Sequence, residues 1–334
     1  LEWMQCPDDV LGLATVYLRI YFSGMTATML YNFGAALLRA GGDTQRPLLF
    51  LTASGVVNVA LNLLFVISFH MDVAGVALAT VISETLGAVL VLLCLMRSQD
   101  ALRFSWRGLR FDRRSFSLMA KIGVPAGIQG CLFSISNVVI QGAINAYGSI
   151  VVAGCSAAGS IDSFIYVAMN TFHQTVQTFL SQNIGAGKYD RVKPILNKCL
   201  LCVMVTGALL SAVACVFSEP LLRIYNQEPD VLVAGVERLR IVAAPYIIFG
   251  LADVLTGAIR GCGSPVLPVV INLLCTCALR LAWIALIDTS TMPVRLVYLS
   301  YPFSWLALLV VLLICWVHLY RRRIRPNLVC RQAA

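Results

Sequence analysis

Nine stretches of roughly 20 apolar residues recur along this chain, each long enough to cross a hydrocarbon core of about 30 Å as a helix. They run at about 13–37, 48–68, 73–96, 117–145, 150–180, 197–217, 236–259, 266–287 and 296–318. Only 12% of the 334 residues are charged, against about 25% in a soluble domain. The period-two alternation of barrel strands is absent, so helices must satisfy the backbone inside lipid. The expectation is an all-α integral membrane protein.

An internal repeat orders these spans. The phrase LLRAGGDTQRPLLF from Leu37 returns as AIRGCGSPVLPVV from Ala258. Arg39 and Arg260, Gly42 and Gly263, and Pro47 and Pro268 are all 221 positions apart, and so are Ser83 and Ser304. A constant register over that distance implies a duplicated architecture. The phrase fits a helix end and restart. Glycine takes the left-handed conformation past a C-terminus, proline suits the next first turn, and arginine meets the helix dipole and anionic headgroups. If the second half begins near Ser117, the first half lacks three spans before Leu1, which gives two lobes of parallel six-helix repeats with 3 + 6 present. The expected divisions are a remnant of the first lobe at 1–96, a linker at 97–116, a second lobe at 117–320 and a basic tail at 321–334. Phe104, Trp106, Leu109, Phe111 and Phe116 make the linker either an amphipathic surface helix or a flexible tether.

The formal net charge of +9 is a matter of topology. If the spans alternate, the linkers at 39–47, 97–121, 182–198 and 260–265 and the tail share one side with 19 of the 25 Lys and Arg residues. Arg223, Arg238 and Arg295 fall on the other, and Arg19, Arg240 and Arg280 within spans. The rich side is cytoplasmic by the positive-inside rule, which puts the C-terminus inside, in a plasma or inner membrane, and disfavours nucleic acid as a partner. The cysteines lie mostly in or beside apolar spans and read as packing residues.

Further motifs carry a resemblance. FLSQNIGAGKYDRVKPIL from Phe179, which includes Gln182 and Gly185, Gly123-Val124-Pro125, YNFGAALLRAGGDTQRP from Tyr31 and NVALNLLFV from Asn58 together resemble the multidrug and toxic compound extrusion (MATE) transporters. The resemblance covers about Pro7 to His318. It implies twelve helices in two lobes and export of cationic amphipathic compounds against H⁺ or Na⁺, with no other cofactor and no obligate protein partner. Two acids that many sodium-linked members carry fall here on Phe133 and Phe249, with Asp253 one turn after the latter, so the coupling site does not transfer residue by residue.

Ionisable groups within spans cost about 3 kcal/mol at a helix centre and are functional candidates by default. Asp162, Tyr166, Asn170, His173 and Gln177 share one face of the fifth span, and Ser134, Asn137, Gln141 and Asn145 one face of the fourth, with Gln129 just before. Tyr246, Gly250, Asp253 and Gly257 share a face of the seventh, the glycines leaving room for a helix or a ligand. Asp253, Asp162 and Glu84 are the ion-coupling candidates. Gln129, Asn137, Gln141, Tyr166, Asn170, His173, Tyr246 and Arg280 are the substrate-cleft candidates, Arg280 either neutralising Asp253 or snorkelling. Phe133, Phe249, Met169 and Met25 either line a drug pocket or pack helices. Asp162 and His173 have packing alternatives too, and Pro125, Pro245 and Pro302 are candidate bends. The three histidines form no catalytic cluster. Antiport by alternating access is therefore the expectation, with a lipid-linked oligosaccharide flippase or a passive channel as alternatives.

Overall fold

The computed structural model describes residues 8–98, 103–105, 108, 110–287, 292–324 and 326. Two compact units divide at the linker, Leu1–Phe111 and Asp112–Ala334.

The first unit holds α1 (Asp8–Ser23), α2 (Met25–Ala40), α3 (Gln45–Leu63) and α4 (Asp72–Arg97). The second holds α5 (Arg113–Asn145), α6 (Ser149–Gly185), α7 (Val192–Val216), the short α8 (Ser218–Arg223), α9 (Pro229–Ala243), α10 (Tyr246–Gly261), α11 (Val266–Asn272), α12 (Leu279–Ala285) and α13 (Arg295–Leu319). Among the described residues seven helices are long and apolar enough to span a membrane, α11 and α12 forming one through a π-helical turn at Leu273–Ala278. An eighth span is the pair α9 and α10, bent by 44°. The stretch read as one span at 13–37 is instead two 16-residue helices, α1 and α2, meeting at Gly24. Position 24 is the repeat equivalent of Pro245, where α9 gives way to α10. Pro125 and Pro302 lie inside continuous helices.

The repeat survives in the hydrogen bonds. Past α2 the amides of Gly41, Gly42 and Asp43 donate to the carbonyls of Leu37, Arg39 and Leu38. Past α10 those of Cys262, Gly263 and Ser264 donate to Ala258, Arg260 and Ile259, the same positions in the other copy. Gly42 and Gly263 have φ of 93° and 80°, left-handed values that a Cβ disfavours. Ser83 and Ser304 are both buried and donate to Thr80 and Tyr301.

Arg260 departs from its expected seat among headgroups. Its guanidinium donates to Gln129 Oε1 on α5 at 3.0 Å, since in a low dielectric an amide oxygen is a strong partner. Gln129 is thereby tied to the C-terminal end of α10. Pro47 and Pro268 are buried in the first turns of α3 and α11, and Gln182 and Gly185 close α6, where the Ala186 amide donates to the Gln182 carbonyl.

In the linker, 103–105 and 110–112 are not helical, and the Phe104 amide donates to Leu95, seating that ring on Leu38, Val91 and Leu95. Trp106 and Leu109 lie outside the described residues, as do Arg325 and 327–334 of the expected tail. Asp112 caps α5, its carboxylate accepting from the Arg114 and Ser115 amides and the Ser115 hydroxyl, which holds it below the usual carboxylate range.

Candidate functional site

Close helix approach builds the second unit's centre. A Cβ on Gly257 of α10 would stand 2.5 Å from the His173 carbonyl of α6, and one on Gly261 2.9 Å from the Gln177 carbonyl. Gly250 likewise meets Met169 Sδ at 2.7 Å, so the glycine face of α10 admits a helix, which is the first of the two readings open in the sequence. Gly154 plays the same part between α6 and α9, 2.8 Å from the Gly235 amide nitrogen.

That approach brings His173 to Asp253. Its Nδ1 lies 2.9 Å from Asp253 Oδ1 and 2.9 Å from the Asp253 carbonyl. A carbonyl only accepts, so Nδ1 carries the hydrogen and donates to both. Nε2 is then the free ring position, and Asp253 Oδ2 is buried without a partner.

A cavity of about 380 Å³ opens beside Phe249, one helical turn from Asp253. From α5 it is lined by Phe133, Asn137 and Gln141, and from α6 by Asp162 and Tyr166. The other walls carry Arg238, Tyr246, Phe249, Arg280, Tyr301 and Trp305. Tyr246, Phe249 and Trp305 form a triangle with ring centroids 5.0–5.5 Å apart, and Tyr166 meets Phe249 at 5.8 Å. Those separations suit edge-to-face and tilted aromatic packing. The rings of Phe133 and Phe249 thus stand on the cavity wall at the positions where the resemblance implied acids.

The charges pair differently from the sequence reading. Asp162 Oδ2 meets Arg238 Nη1 at 3.0 Å, both residues buried. Arg238 had been counted with the far-side loops, but it sits inside α9, where burial requires a counter-charge. Arg280 neither neutralises Asp253 nor snorkels. It is 2% exposed, donates from Nε to Ser304 Oγ at 2.8 Å and lies 4.3 Å from the Tyr301 ring centroid. The cavity therefore gathers Asn137, Gln141, Asp162, Tyr166, Tyr246 and Arg280, while His173 and Asp253 form a separate pair. Asn170 accepts from Gln174 on its own helix. Glu84, in the first unit, accepts from the Thr28 hydroxyl of α2, the helix-pairing alternative. Arg238, Tyr301 and Trp305 were missed as site residues. Arg238 carried a signal in its position between apolar residues at helical spacing, Leu232, Val236, Leu239 and Val242.

A family model described as MatE matches residues 125–285, the stretch that carries most of this site. The probable multidrug resistance protein YpnP of Bacillus subtilis is 31% identical over 286 residues, 86% of this chain and 64% of its own length. Both matches are to MATE-type transporters, and the chain is similar to that family. A second model, described as lipid II flippase MurJ, matches residues 7–146. The FAD transporter of Shewanella oneidensis is 24% identical over 80% of this chain and 60% of its own length. The chain thus spans about 60–64% of the curated relatives it matches. The fold is that of the MATE transporter VcmN of Vibrio cholerae in its bent form (TM-score 0.83, 18% identity, 96% of this chain and 73% of that one). A MOP superfamily transporter from Pyrococcus furiosus, described as having a binding pocket of reverse polarity, superposes with a TM-score of 0.88 at 16% identity, over 97% of this chain and 72% of that one. This chain is accordingly a multi-pass, all-helical membrane protein with the fold of those transporters.

Proposed function

We propose that this chain performs secondary active export of ring-bearing amphipathic compounds, exchanging them for H⁺ by alternating access. One observation carries the reading: the His173–Asp253 pair, its Asp253 Oδ2 buried and unpartnered, sits one turn from Phe249 on an aromatic-lined cavity. Such a pair takes up and releases a proton at Oδ2 or Nε2, and a change in its charge acts on the α6–α10 contact it bridges. A histidine partner favours H⁺ over Na⁺, which prefers oxygen ligands. The names of relatives, multidrug resistance proteins and a FAD transporter, support a small organic substrate, the second one with ring systems. The positive-inside distribution supports a plasma membrane orientation with the C-terminus in the cytoplasm. One charge crossing 100 mV supplies about 2.3 kcal/mol, enough for roughly a fortyfold gradient.

The expectation of a cationic substrate rested on Asp162 and Asp253, and each faces a basic partner, Arg238 and His173. Lipid-linked oligosaccharide flipping is the second reading, supported by the MurJ match and the two cavity arginines.

Dye flux in proteoliposomes under separately imposed H⁺ and Na⁺ gradients tests the proposal. Flux should follow the H⁺ gradient and lose that dependence in Asp253→Asn and His173→Gln. Flux driven by Na⁺ alone, or proton-driven flux intact in both variants, rejects it. Lipid-linked substrate moving without either gradient favours the flippase.

A further inference from the structure

We propose that the cavity of the second unit binds an aromatic anion, its negative group held by Arg238 and Arg280 and its ring by the Tyr246, Phe249 and Trp305 wall. The proposal rests on the reading of this cavity as the substrate site. Two guanidinium groups and one carboxylate, that of Asp162, line it, a formal excess of one positive charge.

The two arginines differ in what they lack. Arg280 is almost fully buried, yet its partners named above are a hydroxyl and aromatic faces, all uncharged. Among the described residues no carboxylate lies within ion-pair distance of it. Arg238 has one carboxylate, but its Nε is buried with no acceptor. A buried guanidinium without full compensation is strongly unfavourable, and in a membrane it marks a functional site. A sulfonate, carboxylate or phosphate entering the cavity supplies the missing charge and an acceptor for Nε, in the pairing that arginine favours. A cation meets the opposite balance, finding only the unpartnered Asp162 Oδ1 with Arg238 on the other oxygen.

The rest of the ligand follows from shape. The volume lies at the small end of ligand cavities, and the aromatic triangle offers ring faces and edges. Ring stacking separates this class from lipid phosphates, whose acyl or prenyl chains carry no aromatic rings.

A pair of xanthene dyes tests the charge while holding the ring constant: carboxyfluorescein, an anion, and pyronin Y, a cation. Binding is read by fluorescence anisotropy on the transporter in phosphatidylcholine nanodiscs. Carboxyfluorescein should bind saturably and pyronin Y should not. Arg280→Gln should weaken the anion about tenfold, with Arg280→Lys recovering part of that loss. Asp162→Asn should tighten it severalfold by releasing Arg238, a gain that misfolding cannot imitate. Pyronin Y binding that depends on Asp162, with carboxyfluorescein excluded, overturns the proposal and leaves the cavity as the substrate site. If neither dye responds to Trp305→Leu, the substrate-site reading itself fails, and the anion with it. In discs doped with undecaprenyl phosphate the dye should still bind, and its displacement by that lipid overturns the aromatic half of the assignment.

Discussion

Thr28 and Glu84 in the first unit hold the positions that Phe249 and Trp305 hold in the second, both pairs related by the offset of 221 residues. In the first unit the pair is a hydroxyl donating to a carboxylate, and in the second it is two rings 5.4 Å apart. The buried serines behind them follow suit, since Ser83 accepts from the neutral Asn58 amide and Ser304 from the Arg280 guanidinium. One backbone plan therefore presents an acid in one copy and aromatic rings backed by an arginine in the other. Duplication conserves the helix ends and breaks that set the skeleton, while the side chains facing inward are free to take opposite chemistry.

The largest effect is expected at the close helix contact of the second unit. Gly257 corresponds by the offset to Ala36, and a Cβ at 257 would stand 2.5 Å from the His173 carbonyl. Gly257→Ala should cost about 1–3 kcal/mol as an overpacked core does, and Ala36→Gly only about 0.5–1 kcal/mol. Thermal unfolding in detergent checks the order, and equal melting shifts would remove the close α6–α10 approach. Next in size, Phe249→Thr combined with Trp305→Glu imports the first unit's pair beside Arg280, whose guanidinium carbon lies 5.9 Å from the Trp305 ring centroid. Anion affinity should fall more than tenfold because the new carboxylate occupies the arginine, and unchanged dye anisotropy would detach the rings from binding.

The smallest effect belongs to the cap of α5. Asp112 titrates below its ordinary value, about 3.9, because the Ser115 hydroxyl, then the Ser115 and Arg114 amides, donate to it. A depressed carboxyl pKa contributes stability above the unfolded value and loses it as pH falls through the folded one. Asp112→Ala should therefore lower the melting temperature slightly near neutrality, and the difference from the parent should vanish in acid.

The spans and the glycine turns were legible because each is written in local sequence, as apolar length or as a glycine forced to positive φ. The repeat was legible because equal spacing needs no structure to be seen. The break at Gly24 was not, since apolar length continues through it, whereas Pro245 marked its bend by the amide hydrogen it lacks. The candidate stripe put Asp162, Tyr166 and His173 on one face of α6, but the partners lay beyond local reach. His173 and Asp253 are 80 residues apart, and nothing in either neighbourhood names the other. Arg238 was misplaced for a related reason: positive residues near span ends usually mark a water-facing loop, and here a broken helix carried one inward.

Arg280 follows the wide turn at Leu273–Ala278 by two residues. Such a turn holds one residue more than an ordinary helical repeat, and each residue of α-helix advances by about 100°. Relaxing the turn to regular α-helix would screw α12 around its axis by about that angle, carrying the guanidinium off the cavity wall while every span kept its length. A stagger of one residue can thus act as a ratchet tooth, presenting the positive charge in one setting and withdrawing it in the other.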